Sequence, residues 1–121
     1  MIRRGTIHWA RIDKRRPVLV VSPDYRNEWA SDVLVVPCST MRRLAPTHVL
    51  LRRGEGGLES PSAAKCEQVM TLPRSDLEPT ALGAPLTPQR MDEIERALIG
   101  ALGIEPAALA RHLRALLEGT M

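Results

Sequence analysis

Apolar residues come in short, β-branched runs over the first seventy positions and then switch to a helical spacing. Ile7-His8-Trp9-Ala10-Arg11-Ile12 reads as a first strand, opening after Gly5 and closing near Asp13. Pro17-Val18-Leu19-Val20-Val21 is a second, stopped by Ser22-Pro23-Asp24, and Val33-Leu34-Val35-Val36 a third, running up to Pro37. A fourth covers Thr47–Leu51 and a fifth Ala63–Leu72. Short strands at regular spacing between Pro, Gly and Asp turns predict a small antiparallel barrel or sandwich. The period changes at residue 87. Thr87 is an N-cap with Pro88 in the first helical position, and Met91, Ile94, Leu98 and Leu102 keep one apolar face until Gly103. A second helix begins near Pro106 and stops at Gly119, with Leu109, Leu113, Leu116 and Leu117 inward and Arg111 and Arg114 outward. The predicted fold class is mainly β with C-terminal helices.

A chain of 121 residues suffices for one domain and its core, without a disulfide or metal staple. The two cysteines, Cys38 and Cys66, have no CxxC spacing and no histidine at zinc-ligand spacing, so they read as small buried hydrophobes in a reducing compartment. No signal-peptide pattern opens the chain and no apolar run is long enough to span a bilayer, so a soluble, cytoplasmic protein with no membrane partner is expected.

Charge sharpens the picture. Residues 1–53 hold eleven Lys and Arg against four acids, whereas residues 54–121 hold six against ten. One half of the chain suits a polyanion and the other does not. Aromatic residues are limited to Trp9, Tyr25 and Trp29, too few for a broad base-stacking platform.

Cutting RNA without a metal uses the ribose 2′-OH as nucleophile. It requires removal of that proton, cationic donors on the phosphoryl oxygens and a donor to the leaving 5′ oxygen. Arginine is the natural phosphate clamp, because its planar fork donates bidentately and keeps its charge. Arg3-Arg4, Arg15-Arg16, Arg42-Arg43 and Arg52-Arg53 are the pairs available, most of them expected at the solvated surface. Arg16 stands apart, since Pro17 and a strand follow it directly and stiffen its platform. Ser39 and Thr40 close an apolar strand and offer hydroxyl donors, with turn capping as the competing role. His8 lies in the basic first strand, within possible reach of RNA or satisfied structurally, while His48 and His112 carry weaker signals. Glu67 is a carboxylate in a mostly apolar strand, an acid/base or an arginine's ion-pair partner. HExxH, paired-acid, Walker and GxGxxG patterns are all missing, so neither a metal nor a nucleotide cofactor is implied.

These segments together resemble the MazF/PemK family of toxins. Arg4-Gly5-Thr6-Ile7-His8-Trp9 is similar to the family's opening motif, and Arg16-Pro17-Val18-Leu19-Val20-Val21-Ser22-Pro23-Asp24 to its second strand. Val36-Pro37-Cys38-Ser39-Thr40, Pro46-Thr47-His48-Val49 and Ala64-Lys65-Cys66-Glu67-Gln68-Val69-Met70-Thr71-Leu72 follow in the family's order. The helix from Thr87-Pro88 completes the match, which runs from residue 3 to about 104. Each motif alone is weak, and five in register are specific.

The resemblance implies an SH3-like barrel over residues 1–104, a homodimer, and cleavage of single-stranded messenger RNA to a 2′,3′-cyclic phosphate and a 5′-OH. It places the catalytic arginine on Arg16 and the catalytic hydroxyl on Ser39, while Thr40, Glu67 and His8 are the local candidates for catalytic support. Arg4, Lys14, Arg15, Arg42, Arg43 and Gln68 are the expected RNA contacts, no metal or cofactor is needed, and an antitoxin with an acidic peptide segment is the expected protein partner. An arginine with a pKa above ~12 is a poor general base, so Arg16 is read as stabilising the phosphorane's charge. Three departures stand out. Only Asp13-Lys14-Arg15 fills what is usually a longer Gly-rich loop, which predicts a more open RNA groove. Thr6 replaces an acid and Met70 a basic residue. Residues 105–121 extend past the family core and are expected as an extra helix packed on the same domain. The competing readings are a gyrase poison of the CcdB type, whose C-terminal Trp-Gly-Ile is not present here, and a non-catalytic RNA-binding barrel.

Overall fold

A computed structural model describes residues 1–40 and 44–119. The elements are β1 (Ile7–Arg11), β2 (Arg15–Val20), a one-turn helix α1 (Asp24–Asn27), β3 (Asp32–Ser39), β4 (His48–Leu51), β5 (Ser62–Lys65), β6 (Met70–Pro73), α2 (Pro88–Ala101) and α3 (Pro106–Glu118). All strand pairs are antiparallel, in the order β1-β2-β3-β5-β4, with β6 also on β3. β3 is the pivot, carrying β2 along one side, β6 beside its first half and β5 beside its end. The free edge of β1 is covered by the segment after β6, where Glu78 N–H donates to the Trp9 carbonyl and Leu82 N–H to that of Ile7. That cover satisfies the backbone groups at the β1 edge of the small antiparallel barrel expected from the strand pattern.

Residue alternation along β2 and β3 sends side chains into two cores. Leu19, Val36 and Cys38 face one with Ile7, Leu51 and Cys66, while Val18, Val20, Val33 and Val35 face the other with Ala10 and Leu72. Both faces of the central strands are therefore apolar, which is why they read as continuous hydrophobic runs.

The fifth predicted strand is in fact two. A single 3-10 turn at Cys66–Gln68 separates β5 from β6. Ala64 lies opposite Cys38 and Met70 opposite Val35, so six steps along one chain answer three along β3, and the turn absorbs three extra residues. That slip lets β5 pair with β4 while β6 stays on β3. It also moves Glu67 and Gln68 out of any strand and onto an exposed turn.

α2 seals the first core. Thr87 Oγ1 accepts from Arg90 N–H at 3.2 Å, Pro88 fills the first turn, and Ile94 is fully buried. Arg90 clamps the helix to the barrel through Glu55, at 2.8 and 3.2 Å, and its guanidinium holds the Glu55 carboxyl below the usual range. Gly103, at φ +68°, ends the helix in a left-handed turn with Ile104 N–H on the Ile99 carbonyl. The second helix forms as its spacing predicts, but only Leu109 among its leucines is even half-buried. No residue of α3 is buried, and Leu113, Leu116 and Leu117 are exposed. The apolar face of the first core is covered by α2, through Met91, Ile94, Ala97 and Leu98.

Candidate functional site

β1 and β2 form a hairpin whose register sets Ala10 opposite Arg16 and Arg11 opposite Arg15. Only Ile12, Asp13 and Lys14 bridge the strands, and Lys14 N–H donates to Asp13 Oδ1 at 2.9 Å. The tip is therefore tight and presents Lys14, Arg15 and Arg16 in succession. Beside it, β3 runs antiparallel to β2, so its C-terminal residues Ser39 and Thr40 come level with the start of β2. An open cavity of about 280 Å³ lies between them, lined by Lys14, Arg15, Arg16, Ser39 and Thr40, with Trp9 in its wall.

Both arginines at this cavity are held by carboxylates. Arg16 Nε and Nη2 donate to the two oxygens of Asp13 at 2.9 and 3.2 Å. This pairing holds the Asp13 carboxyl down at about 2 and raises Arg16 above its already high value. Arg15 Nε and Nη2 donate to the two oxygens of Glu78 at 2.7 and 2.9 Å, and its guanidinium lies 4.3 Å above the Trp9 ring. A permanently charged Arg16 cannot accept a proton, so its chemistry here is donation to an anion.

Ser39 differs from every other buried polar side chain described. Its Oγ is shielded from solvent and has no hydrogen-bond partner among the described residues. A shielded hydroxyl normally finds a partner. Ser39 lines the same cavity as Arg16, and its unpartnered hydroxyl is suited, on turning outward, to donate to a phosphoryl oxygen placed there.

Not all the predicted residues converge. Arg42 and Arg43 lie outside the described residues. Arg4 joins the N-terminus to α2, donating to Glu95 at 2.5 Å and to the Val21 carbonyl, away from the cavity. His8 is fully buried: its Nδ1 lies 2.8 Å from the Glu78 carbonyl and its Nε2 3.0 Å from Thr6 Oγ1. Burial pushes its pKa down, so the imidazole is a neutral brace. Glu67 pairs with a histidine and not with an arginine. Its oxygens lie 2.9 Å from His48 Nε2 and 2.7 Å from the donating Thr47 hydroxyl, while Ala45 N–H donates to His48 Nδ1 at 3.2 Å. Burial pushes the Glu67 carboxyl up, but the hydrogen bonds from His48 and Thr47 outweigh it and leave it below the ordinary value. The cluster is internally satisfied and ties β4 to the 66–68 turn, while Gln68 is exposed on that turn. Burial pushes the Cys38 thiol up to about 12 and the Cys66 thiol to about 11, so neither is an activated nucleophile. Among the described residues no group of three or more His, Cys, Asp or Glu is placed to hold a metal ion, and no helix is long and apolar enough to cross a membrane.

Sequence reasoning passed over two residues that shape the site. Asp13 was legible as an acid three positions before Arg16. Glu78 lies 63 residues from Arg15, and nothing local marks the pair.

Comparison with known proteins places the chain in a known class. Residues 3–102 match the family described as PemK-like, MazF-like toxin of type II toxin-antitoxin system, and the chain belongs to that family. It is 35% identical over 71 residues to an endoribonuclease MazF3 of Mycobacterium tuberculosis, covering 59% of this chain and 68% of that protein. Among solved structures it is similar to a mycobacterial endoribonuclease in complex with its cognate antitoxin, at 30% identity and a TM-score of 0.75 over 87% of this chain and 98% of that one. It is also similar to the Mycobacterium tuberculosis toxin MazF-mt6, at 29% identity and a TM-score of 0.76 over 83% and 98%.

Proposed function

We propose that this chain is the toxin of a toxin–antitoxin pair and a metal-independent endoribonuclease that cuts single-stranded messenger RNA in the cytoplasm. The observation that carries the reading is the convergence of Arg16 and Ser39, whose hydroxyl has no partner among the described residues, on one open cavity. Family membership and relatives named as endoribonucleases support it.

In this reading the RNA's 2′-oxygen attacks the adjacent phosphorus, a 2′-O–P bond forms and the P–O5′ bond breaks. The 2′-OH proton passes to water, and the leaving 5′ oxygen takes a proton from solvent. Arg16 donates to the phosphoryl oxygens and Ser39 Oγ–H adds a second donor, so both act where negative charge builds up in the phosphorane. Lys14, Arg15 and Thr40 border the same cavity and hold the flanking backbone. The protein acts as a homodimer. Its antitoxin inserts an acidic peptide into the basic groove and competes there with RNA, gaining affinity from charge complementarity.

The test is incubation of the purified protein with mixed-sequence RNA in EDTA, followed by mapping of the new ends. Cleavage to 2′,3′-cyclic phosphate and 5′-OH ends is expected. Arg16→Ala should lower the rate by about two to three decades, roughly 2–4 kcal/mol, and relieve growth arrest. Parent-like cutting by that variant would overturn the assignment of Arg16.

A further inference from the structure

The shortened β1–β2 tip was expected to open the groove, yet it places an acid directly on the arginine assigned to the phosphate. Asp13 meets Arg16 through two oxygens and two guanidinium nitrogens, at 2.9 and 3.2 Å. That is the fork geometry a phosphate uses on an arginine. The neighbouring Arg15 is met in the same bidentate way by Glu78.

We propose that Asp13 is a built-in competitor for the scissile phosphate, occupying its position on Arg16 in the resting toxin, with Glu78 doing the same on Arg15. RNA then enters by exchange, a phosphate replacing each carboxylate. This rests on the assignment of Arg16 as the phosphate-binding group. The exchange is feasible because the Asp13 side chain is 68% exposed while that of Arg16 is 30% exposed. The carboxylate can swing into water while the guanidinium stays at the cavity wall. Glu78 is similarly free to leave, its side chain being half exposed. The strongly depressed Asp13 carboxyl agrees with a negative charge held against Arg16 throughout the physiological range. The three-residue connection makes the mask possible, since a longer loop would not fix an acid three residues before Arg16 at guanidinium distance.

The mask attenuates binding and does not take part in bond breaking, so its removal is read as a KM effect. Asp13→Asn keeps an oxygen for the Lys14 N–H that shapes the turn, but loses the charge and the second acceptor on Arg16. Its KM for mixed single-stranded RNA should fall about three- to fivefold, the scale of a partly exposed carboxylate–guanidinium pair. Glu78→Gln should act in the same direction, and the two together should exceed either alone. A second measurement does not depend on RNA cutting. The Arg16 Nε–H resonance, assigned by its loss in Arg16→Lys, is followed during titration with inorganic phosphate. In Asp13→Asn the half-titration point should fall by the same three- to fivefold. An unchanged phosphate midpoint, or a drop in kcat with no fall in KM, would overturn the mask and make Asp13 a positioning residue for Arg16. If the phosphate shift occurs in a protein that cuts no RNA, the ribonuclease reading fails while the mask stands.

Discussion

Ser39→Ala should move stability and activity in opposite directions. In the free protein Ser39 Oγ is shielded from solvent and unbonded among the described residues, a state that costs about 1–3 kcal/mol for a polar group. Alanine removes that oxygen and leaves the backbone pairing of residue 39 with Ala63 untouched. The shape change is one atom, so little packing is lost to offset the relief. A net gain of about 1 kcal/mol is expected, which raises the melting temperature of a domain this size by roughly 4 °C. On the reaction side, loss of one preorganised donor to the phosphorane costs about 2.7–4 kcal/mol, or two to three decades in rate. Thermal unfolding and single-turnover cleavage in EDTA read the two quantities, and Thr40→Ala, at an exposed position, should lower the cleavage step less than Ser39→Ala does. A variant that melts lower than the parent and still cuts at the parent rate would refute the reasoning, because the hydroxyl would then have a structural partner and no role in the transition state.

Other consequences follow from the fold. Gly57 sits at φ +87°, and a Cβ there would lie 2.3 Å from the Leu82 carbonyl oxygen. Gly57→Ala should therefore lose on the order of 3 kcal/mol in urea unfolding, and a loss below ~1 would show that the 82–83 segment yields easily. His8 is held neutral by burial, so its pKa lies below the 6.5 of the unfolded chain. Its contribution to stability is then complete above that pH and declines as pH falls through 6.5 toward the folded value, since the unfolded state binds the proton first. Unfolding free energies measured between pH 7 and 5 should show that decline in the parent and a flatter profile in His8→Asn. Deletion of residues 105–121 should change stability by no more than about 0.5 kcal/mol, because none of the residues of α3 is buried. A large loss on deletion would mean that α3 contributes to the domain through a route other than core burial.

Much of this protein is written in local pattern. The β-branched runs of β2 and β3, the Thr87-Pro88 start of α2 and its stop at Gly103 depend on residues a few positions apart, and the structure places each as the spacing predicts. The juxtaposition of Arg16 with Ser39 and Thr40 was legible for a different reason: the order of the motifs matched a family, and that order carries the pairing of β2 with β3 implicitly.

Contacts between distant segments decided the rest. The break at Cys66–Gln68 exists because β3 takes two partners in two registers, which no window over Ala63–Leu72 reveals. His8 became a buried brace because the 77–82 segment closes the edge of β1, and Glu78 reached Arg15 by the same closure. The leucines of α3 have the spacing of an inward face, but whether such a face is covered depends on what surface it meets, and none of its residues is buried. Periodicity sets which side chains share a face; only the packed chain decides what that face meets, because burial is a property of two surfaces and the sequence lists one at a time.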